Sequence, residues 1–262
     1  MMKIALAQIK TSPKWQENLE KILKLLNETK KQEAHLVVFP ETCMAFVPSD
    51  GSVNFQDIAQ DIQDEFVQTI LKESEKLKLA VVFGFFEKGA IKVKNCVLFV
   101  NSGKILHKYH KTHLYNAFSY NESKDIEEGQ NPIKAFDTPW GKMGMMVCYE
   151  LRFPEIARSL ALQGAKLILV PTAWVDGKLK KEHFSLLSRA RALENTVFLC
   201  ACSQTKNIYT GESALISPLG IELIKMGEEE ALAFVQIDLE EIAQLRKTLP
   251  CLEQRRKELY EL

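Results

Sequence analysis

Cys148 stands where an apolar run, Lys142 to Val147, gives way to a helical segment from about Pro154 to Gln163. A thiol at a strand-to-helix junction resembles in mechanics the elbow that exposes a hydrolase serine. A nearby helix N-terminus also lowers a thiol pKa from about 8.5 toward the reactive thiolate. The position predicts either a nucleophile or a buried filler, and Cys96 and Cys200, inside apolar runs, read as fillers. Glu41 directly follows the buried-strand pattern Leu36-Val37-Val38-Phe39 and its stop at Pro40. Catalytic groups of α/β folds lie just outside the carboxyl ends of strands, although taken alone Glu41 reads equally as a solvated strand end or a helix cap. A third segment, Tyr109-His110-Lys111-Thr112-His113-Leu114-Tyr115, mixes imidazoles, an ammonium and aromatics. Its histidines are of metal-ligand type, but no Cys, Asp or Glu accompanies them at a zinc spacing. Lys111 by itself is an ordinary solvated cation.

The elements that must position these groups alternate along the chain. Lys3 to Ile9 reads as a strand, and Lys14 to Lys30 as a helix with Leu19, Ile22, Leu23 and Leu26 at helical spacing. A helix is predicted over Gln60 to Leu77 and a strand over Leu79 to Phe86. Cys96 to Val100 and Lys104 to His107 flank the turn Asn101-Ser102-Gly103. Tyr109 to Pro132 is long, polar and mostly aperiodic, as functional loops often are. Lys166 to Val170 is a strand stopped by Pro171, Glu182 to Asn195 a helix, and Thr196 to Cys202 a strand. A second hairpin turns at Ser217-Pro218-Leu219-Gly220. Leu232 to Ile237 is the last strand, a short helix follows near Leu239 to Lys247, and the tail from Cys251 to Leu262 is highly charged. Early strand–helix–strand units followed by hairpins indicate a mixed α/β fold. With no linker or repeat in view, residues 1–262 read as one domain.

Composition narrows the partners. Hydrophobic residues make up 46% and charged residues 26% of 262, which excludes a disordered chain. Lys+Arg and Asp+Glu are both 34. There is thus no basic excess for nucleic acid and no polybasic membrane anchor. No apolar run approaches the roughly 20 residues that span a bilayer. Met-Met-Lys and the short run after it lack the pattern of a secretory signal. A soluble cytoplasmic protein is expected, with its six cysteines as free thiols in a reducing compartment.

Taken in order, the Glu41, Lys111 and Cys148 segments resemble the nitrilase superfamily of carbon–nitrogen hydrolases. The motifs are Phe39-Pro40-Glu41, Lys111-Thr112-His113-Leu114-Tyr115 and Cys148-Tyr149-Glu150-Leu151-Arg152-Phe153-Pro154-Glu155. Pro171-Thr172-Ala173-Trp174 and Arg189-Ala190-Arg191-Ala192-Leu193-Glu194-Asn195 extend the likeness over nearly the whole chain. The resemblance implies a four-layer α-β-β-α sandwich. It also implies Glu41 as general base, Lys111 as oxyanion-stabilising cation and Cys148 as nucleophile. Glu122, in Asn121-Glu122-Ser123, matches a second family glutamate, whereas Glu127 and Glu128 read as solvated loop charges. Tyr149, Thr172, Ala173 and Trp174 are the expected pocket residues, with core packing an alternative for Trp174. Arg152 and Glu155 are expected to hold the elbow by ion pairing.

No cofactor and no metal are implied. The expected partners are a small-molecule amide substrate and a second copy of the chain, joined through one helical face into a homodimer. The sequence looks most like the branch of small-molecule amidases that includes ω-amidase and deaminated glutathione amidase. It departs from that branch at Glu150, where Asp is usual, and in Trp174-Val175-Asp176-Gly177-Lys178-Leu179-Lys180-Lys181, which replaces a Gly/Thr-rich segment. These lysines either meet a substrate carboxylate or face solvent. The rival readings are a nitrilase or N-carbamoyl amine hydrolase with the same residues, a Cys–His hydrolase using His183, and a non-catalytic interaction module. The last would be expected to have lost Glu41, Lys111 or Cys148.

Overall fold

The alternation in the first strand reports burial on two faces: Ile4 and Leu6 enter one core layer, Ala5 and Ala7 another. Side chains of a strand point alternately to opposite faces, so a strand apolar throughout must be covered on both. The computed structural model describes residues 1–260; the last two residues of the charged tail lie outside the described residues.

The strands of the first half are β1 (Met2–Gln8), β2 (Leu36–Val38), β3 (Ala80–Glu87), β4 (Val93–Asn101), β5 (Lys104–His110) and β6 (Ile126–Glu127). Those of the second half are β7 (Phe136–Thr138), β8 (Gly141–Met145), β9 (Leu167–Thr172), β10 (Phe198–Ser203), β11 (Thr205–Lys206), β12 (Tyr209–Thr210), β13 (Ala214–Ile216), β14 (Glu222–Lys225) and β15 (Ala231–Ile237). The α-helices are α1 (Trp15–Lys31), α2 (Phe55–Ile58), α3 (Glu65–Leu77), α4 (Pro154–Leu162), α5 (Lys180–Asn195) and α6 (Glu241–Thr248).

One sheet runs β15-β1-β2-β3-β4-β5, with β6 pairing β4; the other runs β14-β13-β10-β9-β8-β7. Each has a parallel centre, β1-β2-β3 and β8-β9-β10. The sheets face one another, β1 against β10, β3 against β9 and β5 against β7. Outside the first sheet, Leu19, Ile22 and Leu26 of α1 and Phe66 and Ile70 of α3 cover Ala5, Val37, Val81 and Phe83. Each such large side chain contributes about 2–3 kcal/mol by leaving water. Outside the second lie α4 and α5, whose Ile156, Leu160, Phe184 and Ala192 join the other core. The expected α-β-β-α layering is the observed one.

Three local expectations are corrected. The second helix starts at Glu65, not Gln60, because Gln60 pairs by backbone with Glu87 and its side-chain oxygen accepts the Phe66 N–H at 2.8 Å, capping the helix from outside. Pro171 does not end its strand. β9 runs through it, pairing Cys202↔Pro171 with β10, while β8 pairs with β9 only as far as Met145↔Leu169. Proline is tolerated there because β8 has already left that side of β9, so no ladder bond is lost. The β4–β5 hairpin turns where expected, but β5 continues to His110 and carries Lys111 to its end.

Candidate active site

The carboxyl ends of strands from both sheets converge. Glu41 follows β2, Lys111 follows β5, Cys148 follows β8, Ala173 follows β9 and Gln204 follows β10. Glu41, Lys111, Glu122 and Cys148 are all buried. The Lys111 Nζ donates to Glu41 Oε1 at 2.9 Å and to Glu122 Oε2 at 2.8 Å. Asn95 Nδ2 donates to Glu41 Oε1 at 2.7 Å, and the Ala173 N–H to Glu41 Oε2 at 2.9 Å. Tyr115 N–H donates to Glu122 Oε2 at 2.6 Å. Burial opposes the Lys111 ammonium, but the charges of Glu122 and Glu41 outweigh it and hold its pKa well above the ordinary lysine value.

Backbone features set Glu41. Gln204 Nε2 donates to the Glu41 carbonyl at 2.8 Å, and its Oε1 accepts from Thr11 Oγ1 at 2.5 Å. Gly84 on β3 lies beneath: a Cβ there would come within 2.6 Å of the Thr42 nitrogen and 3.2 Å of the Glu41 Cα. Only a residue without a side chain lets that turn lie against the strand.

Cys148 opens a 3₁₀ turn, Cys148–Arg152, between β8 and α4, and its φ is +50°. A left-handed conformation in a residue other than glycine costs about 1–3 kcal/mol. Glu150, fully buried, secures it. Its Oε2 accepts the Val147 N–H at 2.7 Å; its Oε1 accepts the Thr112 N–H at 2.7 Å and the Thr112 hydroxyl at 2.8 Å. The Tyr109 hydroxyl donates to it at 2.9 Å. One carboxylate thus ties the Cys148 turn to the Lys111 segment. Burial works against the charged form, but the bonds from His113, Thr112 and Val147 prevail and lower the Glu150 pKa.

A depressed folded pKa stabilises above the unfolded carboxylate value of about 4.3 and loses that contribution as pH falls through the folded value. Glu150→Gln is therefore expected to lose about 3 kcal/mol at pH 7, since an amide group would face N–H donors, and to lose less at pH 3–4. Urea melts of both proteins across that range check this.

The thiol departs from the sequence expectation. Burial, then the Glu41 charge, push Cys148 well above the ordinary thiol pKa, against Lys111 and the Ala173 N–H. Both causes favour the thiol over the thiolate. Glu41 is the carboxylate set against the thiol, whereas His183 makes no hydrogen bond to Cys148 among the described residues. The other cysteines are also free; Cys43 and Cys200 are fully buried, and burial alone raises the Cys200 pKa.

The remaining sequence candidates separate. Trp174 is buried, donates Nε1–H to the Lys180 carbonyl at 2.8 Å and lies 5.1 Å from the Arg152 guanidinium. Tyr149 packs 5.1 Å from Tyr115. The Thr172 hydroxyl donates back to Val170 O at 2.9 Å. The ion pair expected of Arg152 and Glu155 does not form among the described residues: Glu155 is exposed, and Arg152 lies over the rings of Phe118, Tyr149 and Trp174 instead. His110, without ligand partners in its own segment, meets Glu87 and Cys96, with ligand atoms all within 4.8 Å. Glu87 already accepts from Lys108 and shares a hydrogen bond with His110, so a cation would have to displace both. Asn95, Gln204, Gly84 and the bridging role of Glu150 were not found by reading the sequence. The one signal was Glu150 itself, noted only as a departure from Asp.

The carbon-nitrogen hydrolase family model matches residues 3–247. A deaminated glutathione amidase of Escherichia coli O157:H7 is 32% identical over 97% of this chain and 97% of its own length. Omega-amidase NIT2 of Mus musculus is 32% identical over 98% of this chain and 96% of its own. Among solved structures, a variant of the amidase from Nesterenkonia sp. AN1, bearing acrylamide added at its active-site cysteine, superposes with a TM-score of 0.83 at 25% identity. It covers 99% of this chain and 98% of that one. No helix among the described residues is long and apolar enough to cross a membrane.

Proposed function

The chain belongs to the carbon–nitrogen hydrolase family, and from that premise we propose that it hydrolyses a small-molecule carboxamide to a carboxylate and ammonia through a thioester on Cys148. The observation that carries this reading is the buried Glu41–Lys111–Glu122 cluster, closed by bonds of 2.9 and 2.8 Å, beside the buried Cys148 thiol. The amidase names of the relatives and the cysteine adduct of the Nesterenkonia enzyme support it.

In the first half-reaction Glu41 takes the Cys148 proton as Sγ attacks the amide carbon, and the carbonyl electron pair moves onto oxygen. Lys111 and the Tyr149 N–H stabilise that oxyanion. Collapse re-forms the carbonyl and breaks the C–N bond, with Glu41 returning its proton to the nitrogen so that ammonia leaves. In the second half-reaction Glu41 takes a proton from water as the oxygen attacks the thioester. Breaking the C–S bond releases the acid, and the proton returns to sulfur. Glu122 holds the Lys111 ammonium in place throughout.

An ammonia-release screen over primary amides, nitriles and N-carbamoyl amines tests the proposal. Ammonia from amides is expected; ammonia from nitriles alone would overturn it. We place the enzyme in a reducing cytoplasm, since the reaction uses a free thiol, and read residues 1–262 as one domain. We also assign a homodimer through the α4–α5 face, where Leu162, Leu186 and Leu193 are exposed. Sedimentation of a monomer at micromolar concentration would refute the dimer.

A further inference from the structure

His110 finds no ligand partner within its own segment, but the first sheet brings it two. Cys96 on β4 pairs directly with His110 on β5 and with Phe85 on β3. Glu87 lies two residues beyond Phe85, so its side chain falls on the same face. A carboxylate oxygen, a thiol sulfur and an imidazole nitrogen, one from each of three adjacent strands, thus lie within 4.8 Å of one another. No other such group of three occurs among the described residues.

The group stands apart from the reacting centre. Cys96 joins the core on the outer side of the sheet, with Phe85 and Leu98. Its neighbour Asn95 points the other way and donates to Glu41, as does Lys111, the residue after His110. One sheet therefore separates the two sets of side chains.

Sulfur, imidazole and carboxylate together suit zinc and similar borderline-soft dications, whereas magnesium and calcium take oxygen ligands. With bonds of about 2.0–2.3 Å, tetrahedral zinc holds its donors about 3.5 Å apart. His110 Nε2 and Glu87 Oε2 now share a hydrogen bond, and no pair of donors is farther apart than 4.8 Å, so the required spacing lies between. Paired strands hold the three backbones rigidly.

The charges also balance. Burial first, then the Glu87 charge, push the Cys96 pKa well above the ordinary thiol value. A thiolate beside that carboxylate is unfavourable alone, but the two together neutralise a dication. A cation has two bonds to displace at Glu87, and both can go. The Lys108 side chain is 34% exposed and returns to water, and the proton between His110 and Glu87 leaves Nε2. Binding also releases the Cys96 thiol proton. Lys94, on the same face, already pairs with Glu127.

We propose that Glu87, Cys96 and His110 form a binding site for a zinc-type dication, with water as fourth ligand, on the face of the sheet away from Cys148. The site is independent of the amidase reading, and its test does not use turnover. Cobalt(II) is titrated into the Cys148→Ala protein, which lacks the thiol of the reacting centre as a competing ligand. One cobalt ion per chain is expected, with a sulfur-to-cobalt absorption band and the visible bands of tetrahedral cobalt, all bleached by zinc. Cys96→Ser is expected to abolish the sulfur band, and His110→Gln to weaken binding at least about 100-fold. Cys251→Ser, which removes the one cysteine that is not buried, is expected to change neither. If Cys96→Ser does not fold, His110→Gln decides.

No sulfur band, a band that survives Cys96→Ser or vanishes in Cys251→Ser, or undiminished affinity in His110→Gln overturns the site. Displacement of cobalt by millimolar magnesium overturns its assignment to a zinc-type cation.

Discussion

Cys148→Ala is expected to leave a folded protein whose ammonia release from amides has fallen at least about 10⁴-fold, the scale on which removal of a covalent nucleophile acts. The fold should tolerate the change. The thiol makes no packing contribution beyond a single atom, and alanine suits the 3₁₀ turn no worse than cysteine does at φ +50°. The bonds of Glu150 to Val147 and Thr112 remain. What is lost is the nucleophile of the proposed mechanism: Glu41 is held by Lys111, Asn95 and the Ala173 N–H, and Glu122 faces Lys111. Circular dichroism and Tm check the fold, and mass spectrometry of acid-quenched wild-type enzyme with substrate should show an acyl adduct on Cys148 that the variant lacks. Full activity in the variant would end the thioester mechanism.

Lys111→Ala should injure both catalysis and stability, with different pH signatures. Loss of an oxyanion partner is expected to lower kcat about 10³-fold while KM changes much less; an effect confined to KM would mean that Lys111 only holds substrate. Stability should fall by about 3–5 kcal/mol near pH 8, since Glu41 and Glu122 would stay buried without their cation, both against Asn95 Nδ2. In the wild type the raised folded pKa of Lys111 gives stabilisation that is fully present below about pH 10.4 and lost as pH rises through the folded value. The variant lacks that contribution, so its stability deficit is expected to narrow as pH rises from 8 to 11. Denaturant midpoints at the two pH values measure this; a deficit constant with pH would mean that Lys111 acts through packing alone.

The sequence made Cys148, Lys111 and Glu41 legible as candidates because each lies within a few residues of an element end that apolar patterning marks; Glu122, inside an aperiodic loop, came from the family resemblance alone. For the thiol, local and tertiary causes point in opposite directions. Proximity to a helix start argued for a lowered pKa, but what decides it is desolvation together with Glu41, 107 residues away in the chain. Arg152 and Glu155 share a helical stretch and suggested an ion pair, whereas the turn directs the guanidinium onto Trp174 and Phe118. The lysines of 178–181 were indistinguishable by type, and only the left-handed Leu179 separates the buried Lys180 from its neighbours.

From the sequence alone follow the α/β class and the strand ends that carry the candidate groups, because apolar spacing and turn residues act over a handful of neighbours; the roles proposed for those groups came from the family resemblance. Tertiary structure decided which strand ends meet, that Asn95, Gln204 and Gly84 build the seat of Glu41, that Glu150 links the Cys148 turn to the Lys111 segment, and that Arg152 and Lys180 form no ion pair among the described residues. Those outcomes depend on burial and on partners tens to more than a hundred residues apart, such as Gln204 with Glu41. Local pattern holds no record of such distances; packing two sheets face to face creates them.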